Sequence, residues 1–277
     1  MLVLLSPAKS LDWSAAPNEL SGTEPTLLKE SRLLAKTMRT KKPRALSKLM
    51  DISDALAELN HERFQTLTAE VDPERDRPAA LAFNGDVYQG LDARSLSAED
   101  LTWAQDHIAI LSGLYGVLRP LDLIEPHRLE MGTALKTRRG ASLYEFWGDR
   151  VNKHLTGRLA EQSASTVVDL ASQEYSRVAR LKKLDAAVIT PVFREESDGK
   201  AKTISFYAKR ARGMMARFVI EKRLTDVDGL RSSALEAIVL MPVHRATRRG
   251  SSRARSPNSA HTPGGPDLFG RSARVDA

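Results

Sequence analysis

Within Ser205-Phe206-Tyr207-Ala208-Lys209-Arg210-Ala211-Arg212-Gly213, two aromatic residues abut three cations where a helix is expected to begin. At roughly 100° per residue, Ala211, Met214, Met215 and Phe218 fall on one side and Lys209, Arg210, Arg212 and Arg217 in the opposite half. Such a helix packs on one face and offers positive charge to an anion on the other. Ser6-Pro7-Ala8-Lys9 follows the apolar run Met1–Leu5, which places Lys9 at the carboxyl end of a strand, where open α/β sheets hold ligands. Arg119, Arg128 and Glu130 lie in a proline-punctuated stretch that suits a site better than a core. Gly113-Leu114-Tyr115-Gly116 is expected to form a tight turn whose amides could hold a phosphate without reading sequence. Asp169, Ser172, Glu174 and Tyr175 follow another strand-like run and, with Glu130 and Lys209, could make a polar pocket capable of acid–base work, such as cleaving a glycosidic bond.

The chemistry excluded is as informative. The chain has no cysteine, so it forms no disulfide or thiolate metal site and cannot sense peroxide by sulfur oxidation, which suits a reducing cytoplasm. His61, His107, His127, His154, His244 and His261 never recur at ligand spacing, so no metal site is expected. Phosphate-loop, dinucleotide and Gly-x-Ser-x-Gly fingerprints are missing, so no cofactor is expected. The apolar opening is far shorter than the roughly 18 residues of a membrane span and is not a targeting signal, leaving a cytoplasmic chain without a membrane partner.

The net charge of +7 is unevenly placed. Eight arginines and three acids lie between Arg231 and Ala277, which leaves 34 basic and 32 acidic residues in 1–230. Attraction for phosphate must therefore come from local clusters of cations.

The elements that position these residues read as mixed α/β. Strands are expected at Met1–Leu5, Leu81–Phe83, Ile108–Leu111, Thr166–Leu170, Ala187–Phe193 and Lys202–Tyr207, the last two joined as a hairpin through Asp198-Gly199. Helical periodicity marks Leu27–Met38, a helix or pair over Arg44–Arg63, Leu96–Gln105 entered through Ser95 or Ser97, and Ala208–Leu224. The expected fold is α+β, a single domain with a mixed β-sheet flanked by helices.

Seven ordered blocks carry a resemblance to a known family. They are Met1–Asp12 (MLVLLSPAKSLD), Ala82–Leu91 (AFNGDVYQGL), Leu111–Asp122 (LSGLYGVLRPLD), Arg128–Gly132 (RLEMG), Leu143–Asp149 (LYEFWGD), Asp169–Tyr175 (DLASQEY) and the basic segment at Ser205–Gly213. Together they resemble the YaaA peroxide-stress-resistance family. The resemblance implies a cytoplasmic protein made under hydrogen peroxide stress that binds duplex DNA and limits damage from unincorporated iron. It also implies a family-specific fold with a helix-hairpin-helix element, placed either at Gly113–Gly116 or around Asp51–Phe64. On this reading the DNA phosphates meet Lys9, Gly113, Gly116, Arg119, Arg128, Lys209, Arg210, Arg212 and Arg217. The alternative is an enzyme acting on a nucleotide or damaged base through Glu130, Glu174, Tyr175 or Lys209, and a third reading regulates iron through protein partners. Oligomeric state is not legible.

The resemblance stops near Leu230, and from Arg245 onward arginine, serine, proline and glycine dominate, in the manner of a disordered segment. The family ending would read Gly-Tyr-Arg-Phe-Asp, then Ser-Ser-Asp, then Val-Phe. Reading the codons of Leu235–Ser252 from their third bases allows those three blocks in that order. Residues 1–230 are therefore expected to be the domain, and 231–277 a frame-shifted tail.

Overall fold

The computed structural model describes residues 1–15, 21–68, 70–193, 195–197, 200–202, 205–230 and 275–276. The expected tail, apart from its last two described residues, lies outside them, as does the Asp198-Gly199 turn.

The fold is α+β, with a five-stranded mixed sheet flanked by helices. Its strands are β1 (Leu2–Leu5), β2 (Ile108–Ser112), β3 (Gly116–Leu118), β4 (Thr166–Asp169) and β5 (Ala187–Ile189), in the order β3-β2-β1-β4-β5. β2, β1, β4 and β5 run parallel, and β3 returns antiparallel to β2. All residues of β1, β2 and β4 are buried, which is why these strands read as mainly apolar and not as alternating. The register pairs Val3 with both Ile108 and Val168, so the first strand is the centre of the sheet.

The helices are α1 (Leu28–Arg39), α2 (Pro43–Met50), α3 (Asp54–Thr66), α4 (Asp86–Leu91), α5 (Ala98–His107), α6 (Leu143–Trp147), α7 (Arg150–Glu161), α8 (Gln173–Ala179) and α9 (Ser205–Glu221). Of the two starts the sequence offers, Ser95 and Ser97, α5 uses Ser97: its Oγ accepts the Asp100 amide while the Asp100 carboxylate accepts the Ser97 amide, a reciprocal capping box. α7 is anchored to the sheet by a buried guanidinium, with Arg158 donating to Ile108 O at 3.1 Å and to Gln105 O at 2.7 Å.

Three expected strands change. Leu81–Phe83 divides into a helical turn at Ala79–Ala82 and a short strand, Phe83–Asn84, that pairs antiparallel with Ser10–Leu11. Ala187–Phe193 breaks into β5 and Val192–Phe193, separated by Pro191, which has no amide to give a ladder. Lys202–Tyr207 is not a strand: the hairpin pairs Glu195–Ser197 with Lys200–Lys202, and α9 has begun by Ser205.

Gly113–Gly116 turns between two strands, so it is not a hairpin between helices. α2 and α3 do form a helical hairpin, joined through Asp51, which adopts a left-handed conformation (φ 50°).

α9 lies against α4 and α5. Its buried face is Ala211, Met215, Ala216, Val219 and Ile220, while Met214 and Phe218 are half-buried. The crossing with α4 brings backbone against backbone: a Cβ on Gly213 would stand 1.8 Å from Val87 O, and one on Gly90 would stand 2.1 Å from Arg210 O. Glycine is required on both helices at this contact.

Candidate functional site

A cleft of about 330 Å³ opens at the carboxyl ends of β1, β2 and β4. Ser6–Ser10 leave β1 along one wall, Ser112 ends β2 at the base, and Ser172, Glu174 and Tyr175 come from the loop and helix after β4. The segment His127–Glu130 and the first turns of α9 close the remaining sides. Strand order reverses about β1, with β2 on one side and β4 on the other, so the connections leave in opposite directions and open a crevice between them.

Hydrogen bonds hold the rim. The Ser172 amide donates to Ser6 Oγ at 2.8 Å, tying the β1 and β4 exits together. The Tyr88 hydroxyl of α4 donates to Ser6 O at 3.0 Å. Glu174 Oε1 accepts the Gly132 amide at 2.8 Å, and the Tyr144 hydroxyl donates to Glu174 O at 2.8 Å. Burial pushes the phenols of Tyr88 and Tyr175 well up from their ordinary value, so both stay protonated.

The cleft's charges fall into two groups. On one wall Glu130 takes both Lys9 Nζ, at 2.9 Å, and Arg128 Nη2, at 3.0 Å. On the α9 wall Lys209 is exposed and Arg212 half-buried, and neither has a hydrogen bond or salt bridge among the described residues. Burial lowers the Arg212 pKa, and the nearby Asp169 carboxylate partly counters this. Asp169 itself is raised by burial, offset by the Ser176 hydroxyl, the Ala171 amide and Arg212.

Of the cations expected from sequence, Lys9, Arg128, Lys209 and Arg212 meet at this cleft, and Arg210 is exposed beside them on α9. The others do not join them. Arg119 Nε binds Asp122 Oδ1 at 3.1 Å, and that buried carboxylate also takes the Arg119 amide and the Thr23 hydroxyl. Arg217 donates to Leu91 O, Asp92 O and Ser95 Oγ and pairs with Glu221, stapling α9 to the end of α4. Gly113 and Gly116 are buried, with packing roles: a Cβ on Gly113 would stand 2.1 Å from Leu129 O, and Gly116 (φ 72°) lies under the Trp147 ring. The Trp147 indole donates to Gly113 O at 3.0 Å, so this turn positions the Leu129–Glu130 wall and shows no amide at the surface.

Sequence reasoning missed two features. His127 was weighed only as a metal ligand, yet it lines the cleft, 5% exposed, with Nδ1 against Glu125 O at 2.8 Å. The carbonyl can only accept, so Nδ1 carries the proton and Nε2 is an acceptor with no partner among the described residues. The second is a run of exposed cations, Lys36, Arg39, Lys42, Arg44 and Lys48, along α1 and α2. Its signal is plain, since no acid lies between Glu30 and Asp51. No group of three or more potential metal ligands occurs among the described residues, and no described helix is long and apolar enough to cross a membrane.

Comparison with known proteins places relatives alongside this geometry. The family model described as peroxide stress protein YaaA matches residues 1–238. A UPF0246 protein of Maricaulis maris is 52% identical over 226 residues, covering 82% of this chain and 85% of the relative. One from Delftia acidovorans is 50% identical over 252 residues, covering 90% and 97%, and one from Ruegeria pomeroyi is 51% identical over 230 residues, covering 83% and 89%.

Proposed function

We propose, from the premise that this chain belongs to the peroxide stress protein YaaA family, that it protects the cytoplasm against hydrogen peroxide by binding duplex DNA and limiting damage from unincorporated iron. The observation that supports the DNA reading is the convergence of Lys9, Arg128, Lys209 and Arg212, from separate segments, on one cleft, with Arg210 exposed on the same helix as the last two. Cations so placed attract phosphate wherever it is presented, and phosphate is the same for every sequence. The exposed run from Lys36 to Lys48 along α1 and α2, of which Arg44 and Lys48 lie on the α2–α3 hairpin, offers a second patch. Arg119, Arg217, Gly113 and Gly116 are left out of the contact set, because the fold already uses them. The acting body on this reading is residues 1–230, followed by a frame-shifted tail.

Titration of labelled duplexes across a salt series tests the reading. Lys209→Ala and Arg210→Ala should each lower the slope of log affinity against log salt by about one, with a similar penalty on unrelated sequences. Unchanged affinity and slope in both variants would remove this helix from the DNA surface.

A second reading keeps the cleft but makes it catalytic. Its support is that Glu130, Glu174, Tyr175 and Lys209, named from sequence as a possible acid–base set on a nucleotide or damaged base, all line the same cavity.

A further inference from the structure

We infer that the cleft at the carboxyl ends of β1, β2 and β4 binds one small phosphorylated ligand the size of a mononucleotide, with its phosphate on Arg212 and Lys209. A cavity of about 330 Å³ is at the small end of ligand sites and admits one such molecule, whereas a duplex cannot enter it. Binding here is therefore a separate property from duplex affinity at the cleft's mouth, and it does not depend on that reading.

The wall that takes the phosphate is chosen by ion pairing. Lys9 and Arg128 are already engaged by Glu130, but Lys209 and Arg212 have no hydrogen-bonding or salt-bridge partner among the described residues. A guanidinium has five N–H donors in a fixed fork that matches phosphate oxygens, and partial burial of Arg212 removes much of the water that would otherwise satisfy them. Asp169 attracts Arg212 without a hydrogen bond or salt bridge to it, and its oxygens accept from Ser176 Oγ and the Ala171 amide. The rest of the ligand meets acceptors: His127 Nε2, the side chain of Asn84 and the Glu174 carboxylate line the same space. These suit the hydroxyl and amino donors of a nucleoside, beside the apolar surface of Phe83 and Leu129. The same chemistry is presented by a free mononucleotide and by a nucleotide extruded from a duplex.

Calorimetric titration decides it, using inorganic phosphate, nucleoside monophosphates, the matching nucleosides, a fully paired duplex and a duplex with one unpaired nucleotide. The expected result is saturable binding of a monophosphate at one per chain, with the nucleoside at least about ten-fold weaker. Arg212→Gln should weaken monophosphate binding by at least about ten-fold, while Lys153→Ala, an exposed cation on α7, should leave it unchanged. Circular dichroism checks the fold, and if Arg212→Gln fails to fold, the exposed Lys209→Ala takes its place with the same expected direction. If only the duplex with an unpaired nucleotide binds, with the same dependence on Arg212, the ligand is an extruded nucleotide. No saturable binding of any phosphate-bearing probe to folded wild type, or binding insensitive to both substitutions, overturns the inference. The paired duplex separates the two readings: its binding can be lost with the monophosphate retained, or the reverse.

Discussion

Gly213→Ala should destabilise the protein by about 4 kcal/mol, beyond the roughly 1–3 kcal/mol typical of overpacking. Alanine is the better helix former by about 1 kcal/mol, so an isolated α9 would gain from the change. The native crossing reverses the sign. The new methyl would stand 1.8 Å from Val87 O and 2.7 Å from Leu91 N, both backbone atoms of α4, which cannot rotate away as a side chain can. α9 must then lift off α4, losing the burial of Met215, Ala216 and Val219 and breaking the Arg217 bonds to Leu91 O and Asp92 O. Lys209 and Arg212 ride on the same helix, so the cleft should lose its cationic wall as well. Urea denaturation checks this, and a midpoint indistinguishable from wild type would show that the two helices do not touch at Gly213.

The second large effect is an acid instability centred on His127. Burial lowers its pKa from 6.5 to about 4, and the charge of Arg63 adds to the lowering, while the Glu125 carbonyl acts in the opposite direction. Between those two values the unfolded chain binds a proton that the folded protein refuses. Stability is therefore fully present above pH 6.5 and declines as the pH falls toward 4, by about 3 kcal/mol for a shift of this size. His107 and His154 are also lowered, mainly by burial, so the total pH dependence cannot be assigned to one residue. His127→Gln isolates it, because glutamine can still donate to Glu125 O but does not titrate. Unfolding free energies at pH 7.5 and 4.5 should differ less in the variant than in wild type, and parallel pH curves would contradict the assignment.

The sheet was legible because its three central strands are buried on both faces and so read as mainly apolar runs of Leu, Ile and Val. The start of α5 was legible to within two residues, Ser95 or Ser97, for a local reason, and the capping box that selects Ser97 is itself written within four residues. The cleft was half legible: strand ends point to where ligands sit, and Lys9, Ser172, Glu174 and Tyr175 all follow strands that could be read. What separated the true cleft cations from the others was their partners. Arg217 is claimed by the end of α4, more than a hundred residues away, which no local pattern reveals. Arg119 is claimed by Asp122 three residues on, a pairing that spacing alone could have suggested. Gly113 and Gly116 read as freedom for a turn that could hold a phosphate, yet their hydrogens make room for neighbouring backbone and an indole ring, as the hydrogen of Gly213 does for the backbone of α4. Such contacts are set by tertiary packing, to which single-residue patterns are blind.

The central claim is that duplex DNA meets the protein at the mouth of the cleft, and hydrogen exchange with and without a fully paired duplex tests it most directly. The account predicts slowed exchange in residues 6–10, 126–133 and 208–213, the segments that carry Lys9, Arg128, Lys209, Arg210 and Arg212, with no change across 119–122, where Arg119 is held by Asp122. Slowed exchange confined to residues 36–50, the cationic stretch at the end of α1 and along α2, would contradict the cleft as the DNA surface and move it to α1 and α2.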